Sequence, residues 1–155
     1  SRMTEIVKGI AIVNAEGDPE SVYTPGATFD EEGPWALDNT KTLVHITGDI
    51  TDVTAFRELT YYKDGKWISR SKAPGHYYYW KSEDWVLDST KLWQDIRDER
   101  NKRLFFSDWT QLSDCKLSLE KQGEWTEYRQ ALRGVPQTNN GVKHLNEVVW
   151  PDEPS

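Results

Sequence analysis

The chain has 155 residues, enough for one ordinary domain or for a compact β unit with a helical appendage. Its 26 acidic side chains against 19 basic ones disfavour a nucleic-acid backbone or an anionic membrane surface as the main partner. A single cysteine, Cys115, excludes an intramolecular disulfide and fits a reducing compartment. No apolar run approaches the ~20 residues of a membrane span and no basic-then-apolar leader is visible, so a soluble, unexported protein is expected. Ser1 and Arg2 ahead of Met3 read as a cloning remnant. The aromatic load is unusual: eight Trp and seven Tyr against four Phe. Trp and Tyr each carry a large apolar body with one polar handle, which suits half-buried positions and partner surfaces and favours recognition over catalysis.

In chain order, residues 5 to 13 (EIVKGIAIV) are β-branched and apolar and end in the turn chemistry of Asn14 to Pro19, so a first strand is expected. Val22 and Tyr23 make a short second strand before Thr24-Pro25-Gly26. The segment Phe29 to Asn39 is a loop by composition. Its acidic triplet Asp30-Glu31-Glu32 lacks the alternating ligands and the glycine of a calcium loop, so no metal is expected there. From Thr42, the run Leu43-Val44-His45-Ile46 reads as a strand buried on both faces. Phe56 to Tyr62 and Lys66 to Arg70 flank Asp64-Gly65, a strong hairpin signal. His76 to Trp80 and Trp85 to Leu87 flank a second turn at Lys81 to Asp84. Two successive hairpins predict an antiparallel meander, one face of which the helices that follow would cover.

At Asp88-Ser89 the hydrophobic period changes from two to about three and a half, and either residue can cap a helix. Residues 89 to 108 predict a first helix with Leu92, Trp93, Ile96, Arg100 and Leu104 on one face. On its solvent side Asp98 faces Lys102 and Glu99 faces Arg103, each pair contributing about 0.3 kcal/mol. Residues 118 to 134 predict a second helix with a stripe of Leu119, Trp125, Tyr128 and Leu132, stopped at Gly134 and Pro136. Leu117 stands just outside its cap at Ser118. The nine-residue link 109 to 117 forces the two helices antiparallel and adjacent. After Gln137 the tail is polar until Val148-Val149-Trp150, read as a short extended clip, and Pro151 to Ser155 are expected to fray. The fold class is therefore α+β: an N-terminal antiparallel β meander or small sheet over residues 1–87, then a C-terminal antiparallel helical hairpin with an extended tail over residues 88–155.

No catalytic or metal constellation stands out. His45, His76 and His144 fall in three contexts without paired spacing, Cys115 has no activating charges, and no nucleophile-elbow, phosphate-loop or dinucleotide motif occurs. No cofactor is expected, and the chain reads as a non-enzyme. The candidate binding residues are aromatic: Tyr61, Tyr62 and Trp67 on the first hairpin, Tyr77, Tyr78, Tyr79 and Trp80 on the second, and Trp85 across from them. Strand alternation would set Tyr77 and Tyr79 on one side and Tyr78 and Trp80 on the other. One side is core; the other is either a stacking surface for sugar or protein, or a set of ordinary cross-strand aromatic pairs.

The C-terminal run carries a resemblance. Arg97 and Arg100 leading to Leu104, then Ser107-Asp108-Trp109-Thr110-Gln111-Leu112, Asp114, Trp125, Tyr128-Arg129-Gln130-Ala131-Leu132-Arg133, Pro136 and Trp150-Pro151 together resemble the C-terminal module of phage tail assembly chaperones, small proteins associated with tail fibres. Gly134 stands where that pattern has an acidic residue and Cys115 where it has a small one, and TNNGVKHLNE before the final Trp-Pro is an insertion of freely varying kind. The resemblance covers about the last 65 residues and leaves the first 75 or so without a signature. It implies an assembly role with no catalytic residues, a phage tail fibre protein bound at its C-terminal tip as partner, and an oligomeric state matching a trimeric fibre. It also implies action in the host bacterial cytoplasm and a place on the virion tail fibre tip. The alternative reading is a receptor- or carbohydrate-binding module at that tip, with a host surface glycan as partner. Neither reading involves nucleic acid or membrane insertion.

Overall fold

A computed structural model describes residues 6–24 and 37–155. Most of the acidic loop expected over Phe29 to Asn39, including its triplet, lies outside the described residues. Among the described residues seven strands in three small sheets precede the main helices, giving the α+β class. The chain divides into two compact units, one of residues 1–74 and 80–86, the other of residues 75–79 and 87–155.

The first unit is built on β1 (Gly9–Val13), the central strand between β2 (Pro19–Tyr23) and β3 (Thr42–Ile46). Both pairings are antiparallel, Ala11 facing Val22 on one side and Val44 on the other, with a bulge at Ile12/Val13 where Pro19 cannot donate to the ladder. Ala11, Val13, Val22, Val44 and Ile46 form the core of the sheet, with Phe56, Tyr62 and Trp67 packed against it. β3 is buried mainly on one face: Val44 and Ile46 are buried, whereas on the opposite face Leu43 is half-buried and His45 exposed. The two-sided burial expected from its apolar run fails because β3 pairs only with β1 among the described residues and packs its core on one side.

The segment read as a strand from Phe56 begins instead as a helix, α1 (Val53–Leu59). Asp52 caps it, accepting the Ala55 N–H at 3.1 Å, and the chain turns extended only at Thr60, whose hydroxyl donates back to Phe56 O at 2.6 Å. β4 (Thr60–Lys63) and β5 (Lys66–Ser69) then pair across Asp64 and Gly65, both at positive φ as a two-residue primed turn requires. Gly17 also has a positive φ, and its carbonyl accepts the Tyr62 N–H at 2.9 Å. A Cβ at Gly17 would stand 2.0 Å from the Tyr62 carbonyl oxygen, so only glycine fits. β6 (Tyr78–Lys81) and β7 (Asp84–Leu87) form a second hairpin around Ser82 and Glu83, again at positive φ. The two hairpins remain separate two-stranded sheets rather than one continuous meander.

In the second unit α2 (Ser89–Ser107) starts where Asp88 accepts the Lys91 N–H at 3.0 Å. It runs into a 3-10 turn, Asp108–Gln111, and α3 (Leu119–Arg133) begins under the Ser118 cap. Leu92, Ile96 and Val135 share one buried cluster, while Leu104 packs with Trp125, Tyr128 and Leu132 in a second. Early α2 thus faces the residues just beyond α3 and late α2 faces α3 from Trp125 to Leu132, which is the antiparallel pair expected. Leu92, Ile96 and Leu132 are fully enclosed, each side chain stabilising by roughly 1.5–3 kcal/mol. Leu119, placed on the buried stripe by its sequence position, instead points to solvent, because the stripe begins only at Trp125 and Leu117 takes the packed position before the cap. Glu99 pairs with Arg103 as expected, but Asp98 accepts from Gln94 at 2.8 Å, one turn toward the N-terminus from the expected Lys102.

Gly134 ends α3 in the right-handed region, and the chain continues at once into α4 (Val135–Thr138), with Pro136 in the first turn where its missing N–H costs nothing. The expected clip is present. Asn139, buried, accepts the Val149 N–H at 2.9 Å and donates to Val135 O at 3.0 Å, which holds Val148 in the core. The Arg103 guanidinium lies 4.5 Å from the Trp150 ring.

Candidate functional site

Two places offer aromatic or apolar side chains in a built setting, one in each unit. In the first, Arg70 is the organiser. Its side chain is only 3% exposed and its guanidinium lies over the indoles of both Trp80 and Trp85, 4.6 and 4.4 Å from their centres. Its guanidinium donates to Asp18 Oδ1 at 2.6 Å, Arg57 O at 2.9 Å and Glu58 O at 3.2 Å. Trp80 and Trp85 meet edge to face at 5.0 Å, and Tyr61 leans on Trp80 at 4.9 Å. Trp85 Nε1 donates to Ser71 O at 2.8 Å. Tyr62 and Trp67 are occupied differently, with Trp67 4.9 Å from Phe56 and 5.0 Å from Tyr62 above the sheet core.

A cleft of 490 Å³ beside this group is lined by Asn14, Glu16, Tyr61, Lys63 and Glu83 among others. Three of its charged side chains are already engaged: Lys63 pairs with Glu83 at 2.6 Å, Tyr61 donates to Glu83 at 3.2 Å, and Glu16 accepts the Ser82 N–H at 2.9 Å. The bond from Lys63, then that from Tyr61, holds the Glu83 carboxyl below the usual range. Burial and the Glu83 bond push the Tyr61 hydroxyl up.

The remaining aromatic candidates belong to the second unit. Tyr77 lies before β6, not on it, because a turn closed from Tyr78 N to Gly75 O delays the strand to Tyr78. The expected side-sharing of Tyr77 with Tyr79 therefore does not arise: Tyr77 is buried with Leu92 and Ile96, while Tyr79 is 43% exposed. Tyr78 is half-buried. The Tyr77 hydroxyl donates to Asp95 Oδ2 at 2.7 Å, and burial first, then this bond, raises it to about 12. His76 and His144, which no spacing linked, flank Tyr77 at 5.0 and 5.3 Å between ring centres. Among the described residues no group of three or more His, Cys, Asp or Glu side chains stands close enough to hold a metal ion. Cys115 is half-buried, its sulfur 2.8 Å from Gln122 Nε2.

The second place escaped the sequence reading. At the turn end of the α2–α3 pair, Phe105 is 71% exposed, Phe106 62%, Trp109 48%, Leu112 56% and Leu119 88%. Arg129 holds this end together, donating from one nitrogen to Leu104 O at 2.7 Å and Ser107 Oγ at 2.6 Å and pairing with Asp108 at 2.9 Å. The signal was available: Leu104-Phe105-Phe106 puts three large apolar residues on consecutive helical positions, and an amphipathic helix can bury only part of such a run.

The chemistry on offer at both places is apolar contact and aromatic stacking. Residues 93–155, which include the turn end, match the family profile of the phage tail assembly chaperone proteins. No curated protein and no solved structure gives a match to the chain. Among the described residues no helix is long and apolar enough to cross a membrane.

Proposed function

We propose that the protein is a phage tail assembly chaperone whose client is a tail fibre protein, held at its C-terminal tip, and that it stays on the finished particle. The observation that supports this reading is that the segment matching the chaperone family falls on a folded helical pair with an enclosed core, to which Tyr77 and Leu92 just upstream also contribute. The physical need is plain. A trimeric fibre exposes unpaired strand edges and apolar tip surface until it closes, and these aggregate unless covered. Such a chaperone acts in the host bacterial cytoplasm during assembly and adopts a stoichiometry matched to the trimer. Glycan binding by the hairpin aromatics has weaker support, because Trp80, Trp85, Tyr62 and Trp67 are already engaged in edge-to-face and tilted contacts with one another and with Phe56, and Trp80 and Trp85 carry the Arg70 guanidinium.

The test is coexpression with the tail fibre protein of the same phage. The expected result is soluble fibre trimer only when this chain is present, and its detection by mass spectrometry in purified particles. Equal yields of soluble trimer with and without the chain overturn the chaperone reading, and particles lacking it overturn retention.

A further inference from the structure

Resting on the chaperone reading, the geometry points to the turn end of the α2–α3 pair as the surface that receives the client, an apolar segment of the unassembled tail fibre tip. Phe105, Phe106, Trp109, Leu112 and Leu119 are five of the eleven large apolar side chains exposed among the described residues, and they fall within fifteen consecutive positions at one end of one helical pair. Single exposed apolar residues are ordinary on a monomer; a group gathered at one end is the mark of a contact surface. Phe105 stands in the last turn of α2, Trp109 in the 3-10 turn that prolongs it and Leu112 directly after that turn, so all three fall at the same end of the pair.

The surface is also held in shape before any partner arrives. Arg129 ties Leu104, Ser107 and Asp108, and the buried Thr110 hydroxyl donates to Ser107 O at 2.6 Å. Trp109 rests against Trp125 at 5.9 Å, and Phe105 meets Phe106 edge to face at 5.7 Å. A site ordered in advance loses little further freedom on binding.

Three observations choose the occupant. A second copy of the chain is disfavoured by a net charge of −7 on each molecule. Around the apolar group, Lys102, Asp108, Asp114, Lys116, Glu120 and Lys121 mix both signs, which does not fit the single-sign attraction of a nucleic acid or an anionic lipid surface. An apolar centre with a mixed polar rim is the anatomy of a protein–protein contact. Finally, the whole group lies inside the segment that matches the chaperone family, whereas the hairpin aromatics lie outside it.

The experiment coexpresses the full chain with the full-length tail fibre protein of the same phage, and relative Kd values are read by competing labelled wild type against each variant for the fibre. Wild type is compared with F105S/F106S, with L119S and with Y79A, each checked by circular dichroism and Tm. The double variant is expected to weaken Kd about 100-fold and L119S about tenfold, with Y79A unchanged. L119S removes a side chain that supports nothing in the fold, so a loss there cannot be ascribed to misfolding. Wild-type binding that survives in both turn-end variants overturns this surface while leaving the chaperone reading intact. Failure of wild type to bind removes both. A wild-type dimer in sedimentation that F105S/F106S converts to monomer assigns the surface to a second copy and overturns the proposal.

Discussion

Arg70→Met is the substitution that most directly tests how the first unit is held together. Methionine keeps the length and apolar stem of the side chain but removes the charge over Trp80 and Trp85 and the bonds to Asp18, Arg57 O and Glu58 O. Truncating one partner of an enclosed ion pair costs about 3–5 kcal/mol, mostly because the other partner keeps its desolvation without its bond. Asp18 is a quarter exposed and so recovers part of that loss from water, while two carbonyl acceptors and two cation–π contacts are lost in addition. These adjustments oppose each other, and we expect a net loss of about 3–4 kcal/mol, a large fraction of the ~5–15 kcal/mol that a domain has. Amide hydrogen exchange reads this locally. The β1 amides of Ile10 to Val13 would exchange roughly 100- to 1,000-fold faster, at tenfold per 1.4 kcal/mol. Arg70→Lys, which keeps the charge but not the planar fork, would fall between. A change of less than about tenfold in Arg70→Met would refute the idea that this guanidinium organises the unit.

Two further outcomes follow from the same geometry. Gly17→Ala places a Cβ on the Tyr62 carbonyl at a positive φ, whereas Gly65→Ala meets open space at a similar φ. We expect losses of about 3 kcal/mol or more for the first and about 1 kcal/mol for the second in urea unfolding, and equal losses would show that the contact with Tyr62 is not what requires glycine. For Tyr77, the hydroxyl is raised from 10 to about 12 by burial and by its bond to Asp95, so the folded chain holds that proton more tightly than the unfolded one. Its contribution is complete below pH 10 and lost as the pH climbs to 12. Tyr77→Phe is therefore expected to flatten the alkaline fall of stability over that window, and a decline parallel to wild type would contradict it.

What could be read from the residues was whatever local chemistry decides. Asp64-Gly65 announced its hairpin, Asp88 its helix, and Ser118 and Gly134 the limits of α3, because turns and caps depend on a few neighbouring residues. α1 was misread for a physical reason. Seven residues make barely two turns, none is buried, and over so short a span the two periods cannot be separated, so the aromatic run after Thr60 drew Phe56 into a strand. Leu119 is placed on the stripe by extending it back to the first residue of α3, before packing begins at Trp125, and Tyr77 by extending β6 across the Gly75–Tyr78 turn. The approach of His76 and His144 to Tyr77 joins residues nearly seventy positions apart, and no local pattern encodes that. The same holds for the aromatic candidates: composition flagged them, but which are enclosed around Arg70 and which reach solvent is a property of the packing.

Tyr77 has a practical consequence for anyone dissecting the chain. Its ring completes the core around Leu92 and Ile96, yet it precedes α2 by a dozen positions and falls outside the segment matched by the family profile. A fragment trimmed to that profile would leave a hole where the phenol belongs and strip Asp95 of two donors, Tyr77 and Lys91. Expression boundaries for the helical portion therefore belong at or before Gly75, upstream of where alignment alone would cut.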